Sequence, residues 1–189
     1  MARPSDQTLL FEPNLSINGA ITESTVPFII DRLKDIRESQ ADLVAEINTE
    51  GGDADVARRV ALEIRLFSRY SGKEAYCIGK SNVYSAGVTI FAAFARRNRF
   101  LTDDAILLIH ERRLDNSIQL TGPIRSCLQI VREQLSLLKT AQDLELAGFE
   151  ELIAGSELTI DELSEMAATS CYMKAEAALR HGIIGGIVG

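Results

Sequence analysis

Two side chains of this sequence have the types and spacing that nucleophilic catalysis needs, Ser85 and His110. Ser85 lies in NVYSAG at residues 82–87, between an apolar run and a segment of small residues. A serine hydroxyl attacks a carbonyl only if a base takes its proton and donors bind the oxyanion that forms. Of the two histidines, His181 precedes a glycine at a predicted helix end, where it suits the helix dipole. His110 directly follows an apolar strand pattern at residues 105–109 and is therefore the candidate base.

Backbone N–H groups at Gly52 and Ala86 are the candidate oxyanion donors. Predicted strands end shortly before Gly52, before Ser85 and at His110. The carboxyl ends of parallel strands form the edge where open α/β sheets place their sites. Ala86 would also lie in the first turn of a helix, where N–H groups are free to bind an anion. We therefore expect Ser85, His110, Gly52 and Ala86 to meet at one sheet edge.

The elements that would position these residues alternate between short β-rich segments and longer helical ones, which is typical of α/β folds. Predicted strands cover residues 15–21, 43–47, 75–78, 100–101, 105–109 and 183–188, with a turn at 80–84. Predicted helices cover residues 28–37, 56–70, 85–95, 124–146 and 175–181, and one more begins at a capping box, Thr159 with Glu162. The helix at 124–146 is too long to be buried throughout, so part of it should project or meet a partner.

Composition limits the classes of function. A chain of 189 residues with 46% hydrophobic content suits one domain. A net charge of −7 with dispersed basic residues disfavours nucleic acid and anionic lipid as partners. With no signal-peptide pattern at its amino terminus and no apolar stretch of membrane-spanning length, the chain is expected to be cytoplasmic. Its cysteines, Cys77, Cys127 and Cys171, are widely spaced without nearby histidines, so we expect packed thiols, no metal and no cofactor.

Four ordered motifs resemble those of the Clp protease proteolytic subunits. They are INTEGG at residues 47–52, YSAG at 84–87, LLIHE at 107–111 and YMKAEAALRHGII at 172–184. The resemblance implies the α/β ClpP/crotonase-like fold of repeated β-β-α turns with a protruding handle helix. It implies a single domain over residues 1–189, with a flexible or extended amino-terminal segment at 1–14 and a handle region at about 115–147.

The resemblance also implies a function, that of a serine endopeptidase whose own peptide cleavage is independent of ATP. Ser85 would be the nucleophile, His110 the general base and acid, and Gly52 with Ala86 the oxyanion-hole donors. Members of this family enclose such sites in oligomeric rings, so a homo-oligomeric ring that cleaves small peptides or unfolded proteins is expected.

One position departs from the family's pattern where the third triad member belongs. The family has an acid a few residues before its F/Y-L/M-S/T-A motif, and alignment on residues 172–175 places Ser170 there. Loss of the triad acid from other serine hydrolases costs roughly 10⁴-fold in rate, so slow turnover is expected. A displaced carboxylate from Asp161, Glu162 or Glu165 is the alternative source of the missing charge.

Other departures concern substrate and partners. Glu50 stands where the family commonly has proline, which predicts an altered peptide preference. The chain starts close to its first predicted strand and leaves little sequence for the family's axial loop, so docking to an AAA+ unfoldase is not expected. Two other functions stay open: a catalytically impaired or regulatory ring subunit, and a crotonase-type acyl-CoA enzyme. The last is disfavoured because such sites do not require a Ser and His pair at this spacing.

Overall fold

A mixed α/β architecture built on a largely parallel sheet confirms the predicted fold class. The computed structural model describes residues 3–189. Its strands are β1 (Leu15–Asn18), β2 (Leu43–Thr49), β3 (Ala75–Tyr84), β4 (Arg99–Leu101), β5 (Ile106–Ile109), β6 (Cys171–Lys174) and β7 (Gly186–Ile187). The sheet order is β1-β2-β3-β4-β7, and β5 pairs with β3 on one side and with β6 on the other. Only the β5–β6 pair of these strands is antiparallel.

Seven α-helices pack around or extend from this sheet within residues 3–189. They are α1 (Asp6–Phe11), α2 (Thr25–Glu38), α3 (Ala54–Tyr70), α4 (Ala86–Ala92), α5 (Ile124–Ile153), α6 (Ile160–Ala168) and α7 (Ala175–Arg180), with a 3₁₀ turn at Arg96–Asn98. The apolar spacing that predicted α2 is the spacing it buries, Ile29, Leu33 and Ile36. The capping box between Thr159 and Glu162 at the start of α6 is also present.

Strand β3 runs through the predicted turn at residues 80–84, so that prediction was wrong. The first half of β3 lies between β2 and β4, whereas Asn82 to Tyr84 pair with β5. The strand bends at Ser81, which has a φ of 50°. The polar residues that suggested a turn mark the place where the strand changes neighbours, and the chain stays extended because β5 supplies new backbone partners.

The amino-terminal segment contains a helix, which corrects the expectation of a flexible or extended chain over residues 1–14. The first two residues of that segment lie outside the described part. Ser5 caps α1 by accepting a hydrogen bond from a backbone N–H, and Leu9 is fully buried. Lys80 Nζ holds the end of α1 by donating to the backbone oxygen of Leu10 at 2.6 Å and to Glu46 at 2.6 Å. A cap, a buried leucine and a partly buried lysine therefore fix the helix against the sheet.

Helix α5 continues to Ile153, seven residues beyond its predicted end at 146. Its buried residues, Leu152 and Ile153, lie in this extension, where they join the main hydrophobic cluster with partly buried Phe149. The predicted end was wrong because this last turn is stabilised by packing that the sequence pattern does not display. The rest of α5 carries several exposed large apolar side chains, in agreement with the expectation that part of the helix is not covered by the domain.

The cysteines are free thiols in different environments. Cys77 is buried in the main cluster, as expected, and burial raises the pKa of its thiol. Cys127 and Cys171 are only partly buried, and burial also raises the pKa of the Cys171 thiol. Within residues 3–189, no helix combines the length and apolar character needed to cross a membrane.

Candidate active site

Ser85 occupies a strained turn between β3 and α4. Its φ is 54° and its ψ is −117°, a region that residues with a side chain rarely adopt. The backbone N–H of Ser85 donates to the Leu108 carbonyl on β5 at 2.8 Å, which ties the turn to the neighbouring strand. Ser85 stands at the N-cap of α4, yet its side chain makes no capping hydrogen bond. Within residues 3–189 the strained backbone thus presents a hydroxyl without a hydrogen-bond partner, and strain of this kind is found at functional sites.

Gly51 is packed directly against Ser85. A Cβ added at Gly51 would lie 2.8 Å from the Ser85 Cβ and 3.3 Å from its Oγ, and the φ of Gly51 is 100°. Thr49 fixes this turn because its hydroxyl accepts the Gly51 N–H at 3.0 Å and donates to the Gly19 carbonyl. The methyl group of Thr49 also fills the space beside Gly87, where an added Cβ would approach to 2.4 Å. The β2 and β3 turns are therefore closely fitted, and glycine is required at their contact.

The two predicted oxyanion donors are available. Ile21 accepts from the Asp53 N–H at 2.9 Å and donates to the Gly51 carbonyl at 2.9 Å. Both of these bonds use the groups next to Gly52, and the Gly52 N–H itself has no acceptor among residues 3–189. Ala86 is the first residue of α4, where a backbone N–H has no acceptor within its own helix. Both groups can therefore donate to an incoming oxyanion.

The imidazole of His110 is held by a backbone carbonyl. His110 Nδ1 lies 2.6 Å from the Glu111 oxygen. A carbonyl oxygen only accepts hydrogen bonds, so the Nδ1 of His110 carries the proton and donates it. In the neutral ring this leaves Nε2 as the free acceptor, which is the atom a general base needs.

Ser170 directly precedes β6 and His110 directly follows β5, and the antiparallel pairing of these two strands ends with Ile109 opposite Cys171. Ser170 does not hold the His110 ring. In residues 3–189, the Ser170 side chain makes no hydrogen bond to His110, whose ring partner is Glu111.

Within residues 3–189, none of the three proposed substitute carboxylates, those of Asp161, Glu162 and Glu165, is hydrogen-bonded to His110. The Glu162 carboxylate accepts from both the backbone and the hydroxyl of Thr159, each at 2.8 Å, and so serves the capping box. Asp161 and Glu165 are exposed on the same helix, α6. The alternative of a displaced carboxylate from these residues finds no support.

A cavity of about 580 Å³ joins the candidate residues. Ser85, His110, Gly52 and Ala86 all line its wall, together with residues of α3 and α5. The cavity lies where β3, β5 and the glycine turn after β2 end, in agreement with the expected sheet edge.

Charged residues on the cavity wall were not predicted. Arg112 Nη2 donates to the Asp55 carboxylate at 3.0 Å, and this hydrogen bond holds the pKa of Asp55 below its usual value. The backbone N–H of Arg112 donates to the Glu145 carboxylate. Arg65 Nη1 contacts both carboxylate oxygens of Glu151 at 2.7 and 2.8 Å. The sequence pattern gives no signal for Glu145 and Glu151, because which turn of α5 faces the cavity depends on how the helix packs against the domain.

No group of three or more His, Cys, Asp or Glu side chains among residues 3–189 is placed to hold a metal ion.

Comparisons with known proteins agree with this architecture. The family model described as Clp protease matches residues 5–189. Among solved structures, the chain is similar to a ClpP1 asparagine-to-aspartate mutant from Listeria monocytogenes, with a TM-score of 0.70 and 17% sequence identity. That match covers 92% of this chain and 90% of the other. No curated protein sequence gave a significant match. The structural likeness at this identity concerns the fold, and the family match over nearly the whole length shows that the chain belongs to the Clp protease family.

Proposed function

We propose that the protein is a serine endopeptidase in which Ser85 is the nucleophile and His110 the general base and acid. The observation that carries this proposal is the single cavity lined by Ser85, His110, Gly52 and Ala86. The strained backbone of Ser85 adds support, because strain of this kind persists only where the surrounding structure enforces it.

The proposed reaction has two stages. His110 Nε2 takes the proton of the Ser85 hydroxyl while the Ser85 oxygen attacks the peptide carbonyl, and the Gly52 and Ala86 N–H groups bind the oxyanion. His110 then gives the proton to the leaving amine, and the acyl group stays on Ser85. Water that gives a proton to His110 attacks this ester, and His110 returns the proton to the departing Ser85 oxygen, which releases the second product and restores the hydroxyl.

Turnover should be slow because no carboxylate within residues 3–189 is hydrogen-bonded to the imidazole. The Glu111 carbonyl orients the His110 ring and fixes its tautomer, two of the tasks of a triad acid. A neutral carbonyl stabilises the imidazolium that forms during catalysis less than a carboxylate does. We place the rate between that of a complete triad and the roughly 10⁴-fold lower rate of triads that lack the acid, because part of the acid's role is retained.

Assembly into a homo-oligomeric ring is part of the proposal. Ile124, Leu128, Val131, Leu135 and Leu138 on α5 are 43–76% exposed. They repeat at alternating intervals of four and three residues, the spacing of a helix seam that packs against another helix. We name these five residues the α5 stripe. Residues of about 115–147, which include this stripe, are proposed to be the handle through which copies meet.

The substrate class proposed is small peptides and unfolded polypeptide. A cavity bounded by sheet edge and helix suits an extended chain that has no fold of its own. An AAA+ unfoldase is not part of the proposal, and neither nucleic acid nor membrane is expected to bind.

A regulatory ring subunit with impaired catalysis is the second candidate. It is favoured by one observation, the absence of a carboxylate bonded to His110 within residues 3–189. The two candidates differ in whether Ser85 turns over peptide at all.

Hydrolysis of a fluorogenic peptide library by the purified oligomer tests the proposal. Ser85→Ala should abolish the hydrolysis, and Ser126→Ala, at an exposed serine of α5, should leave it unchanged. His110→Ala should reduce it strongly, whereas His181→Gln should not. Equal activity of the wild type and Ser85→Ala would reject Ser85 as the nucleophile and leave the regulatory reading.

A further inference from the structure

The peptide unit between Glu111 and Arg112 is hydrogen-bonded on both of its sides. Its carbonyl oxygen, that of Glu111, accepts from His110 Nδ1 at 2.6 Å. Its N–H, that of Arg112, donates to the Glu145 carboxylate of α5. One rigid, planar group thus stands between an imidazole and a carboxylate.

We propose that Glu145 supplies, through this peptide unit, the negative charge that the triad lacks. A carboxylate that accepts from a peptide N–H draws the N–H dipole toward itself and increases the negative charge on the carbonyl oxygen of the same unit. Hydrogen bonds in a chain strengthen one another in this way, by about 10–30% per bond. The Glu111 oxygen therefore binds the His110 N–H more strongly than an isolated carbonyl would. This inference rests on the proposed function.

No arginine or lysine side chain of residues 3–189 forms a salt bridge with the Glu145 carboxylate, so no paired cation offsets its field at the Arg112 N–H. By contrast, Glu151, further along the same helix, is neutralised by Arg65. Glu145 is also partly buried, so its field is less screened than that of an exposed carboxylate.

The peptide unit is fixed from a second direction. The Arg112 guanidinium, with a side chain that is 25% exposed, donates to Asp55 at 3.0 Å. Asp55 lies in the first turn of α3 and also pairs with Arg58 at 3.3 Å. The segment after His110 is therefore anchored to α3 through the Arg112 side chain and to α5 through its backbone, which limits rotation of the Glu111 carbonyl away from the ring.

Glu145 is in this account a positioning residue, because it acts on His110 through the backbone and not by contact with substrate. The rate at which a fluorophosphonate labels Ser85 measures activation of the hydroxyl directly. We expect Glu145→Ala to lower that rate about 10-fold and Glu145→Gln about 3-fold, the size of effect of weakening one hydrogen bond. Glutamine keeps an acceptor for the Arg112 N–H and loses only the charge. Glu150→Ala, at an exposed glutamate of the same helix, should label at the wild-type rate.

A second background separates this role from a structural one. Ser170 directly precedes Cys171, the residue paired with Ile109, and has a φ of 63°, a region that aspartate tolerates. Ser170→Asp should place a carboxylate beside the ring and take over the task of Glu145. In the Ser170→Asp background we expect Glu145→Ala to change the labelling rate less than about twofold. The new carboxylate already orients the imidazole, so the effects of the two substitutions on the rate are not additive. An equal loss in both backgrounds would mean that Glu145 only supports the fold, and would overturn the proposal.

Nitrogen-15 NMR of the two imidazoles gives a readout that does not depend on catalysis. His181→Gln assigns the His110 signals. The His110 Nδ1–H proton should move upfield in Glu145→Ala and less so in Glu145→Gln, while His181 stays unchanged. If the His110 signal moves in Glu145→Ala but Ser85 of the wild type is never labelled, the effect of Glu145 on His110 exists and the proposed peptidase function fails. If the His110 signals are the same in the wild type and in Glu145→Ala while Ser85 is labelled, the peptidase function stands and the proposed role of Glu145 is rejected.

Discussion

Gly51 illustrates how tightly the residues around Ser85 are fitted. Its φ of 100° already favours glycine, and an added Cβ would collide with Ser85. Gly51→Ala should therefore shift Ser85 and lower its labelling rate by at least about 10-fold, since misplacement by about 1 Å costs about 100-fold in well-positioned sites.

Gly122 provides a matched control for the backbone strain. Its φ is 110°, and an added Cβ would meet no atom within 4 Å. Gly122→Ala should destabilise its turn as Gly51→Ala does, yet leave Ser85 labelling unchanged. Similar labelling rates for the two variants would show that Gly51 does not position the serine.

At the residue scale, the sequence predicted which residues share the cavity better than how they are bonded. Ser85, His110, Gly52 and Ala86 follow strand ends, and the parallel sheet brings strand ends together. The partner of His110 was not predictable, because the direction of the Glu111 carbonyl depends on tertiary contacts. Glu145, which holds that peptide unit, lies in a helix whose docking the pattern does not reveal.

Arg99, the first residue of β4, joins several elements from inside the protein. The residue is 3% exposed, and its guanidinium donates to five carbonyls, those of Ala92, Phe94, Glu151, Leu152 and Ile183. Four of these carbonyls lie near the ends of α4 and α5, where a cation is favoured by the helix dipole. Burial lowers the pKa of Arg99 to about 10, which leaves it charged at neutral pH.

Replacement of Arg99 should be costly because it leaves those carbonyls buried without donors. We expect Arg99→Met to lower the free energy of unfolding by about 3–5 kcal/mol, and Arg99→Lys to lower it less, since lysine keeps the charge but not the planar fork. Arg97→Met, which breaks an exposed pair with Glu74, should cost under about 1 kcal/mol. Urea denaturation measures all three. A loss below 1 kcal/mol for Arg99→Met would contradict this account.

At the element scale, helices with one apolar face were predicted well, and irregular elements were not. The buried spacing of α2 and the capping box of α6 are both local signals. The continuation of β3 past Ser81 and the strand β6 depend on β5, which supplies their backbone partners. Such pairings between distant segments leave no periodic mark on the residues that form them.

At the scale of the whole molecule, no part of residues 3–189 covers the α5 stripe fully, and its side chains remain exposed. An apolar seam of this length on a monomer would be unusual unless a partner covers it. Leu135→Glu should therefore reduce the proposed oligomer to smaller species, because it places a charge in the middle of the seam. Ser136→Glu adds the same charge at the neighbouring exposed position, outside the stripe, and should keep the assembly. Sedimentation velocity distinguishes the two, and an unchanged oligomer in Leu135→Glu would rule out this seam as the interface.

The overall topology was predictable mainly through the order of the four motifs. Alternating patterns indicate an α/β class, which many topologies satisfy. The family match over residues 5–189 and the shared fold at 17% identity support the motif-based prediction. The helix α1 lies outside those motifs, and its docking through Lys80 was not predicted.

The central claim is that His110 activates Ser85 for attack although no carboxylate of residues 3–189 is hydrogen-bonded to the imidazole. The most direct measurement is labelling of the intact protein with a fluorophosphonate, followed by intact mass and peptide mapping. We predict one label per chain at Ser85, lost in Ser85→Ala, strongly slowed in His110→Ala and retained in His181→Gln. No label across pH and oligomeric states, or a label that persists in Ser85→Ala, would contradict the account.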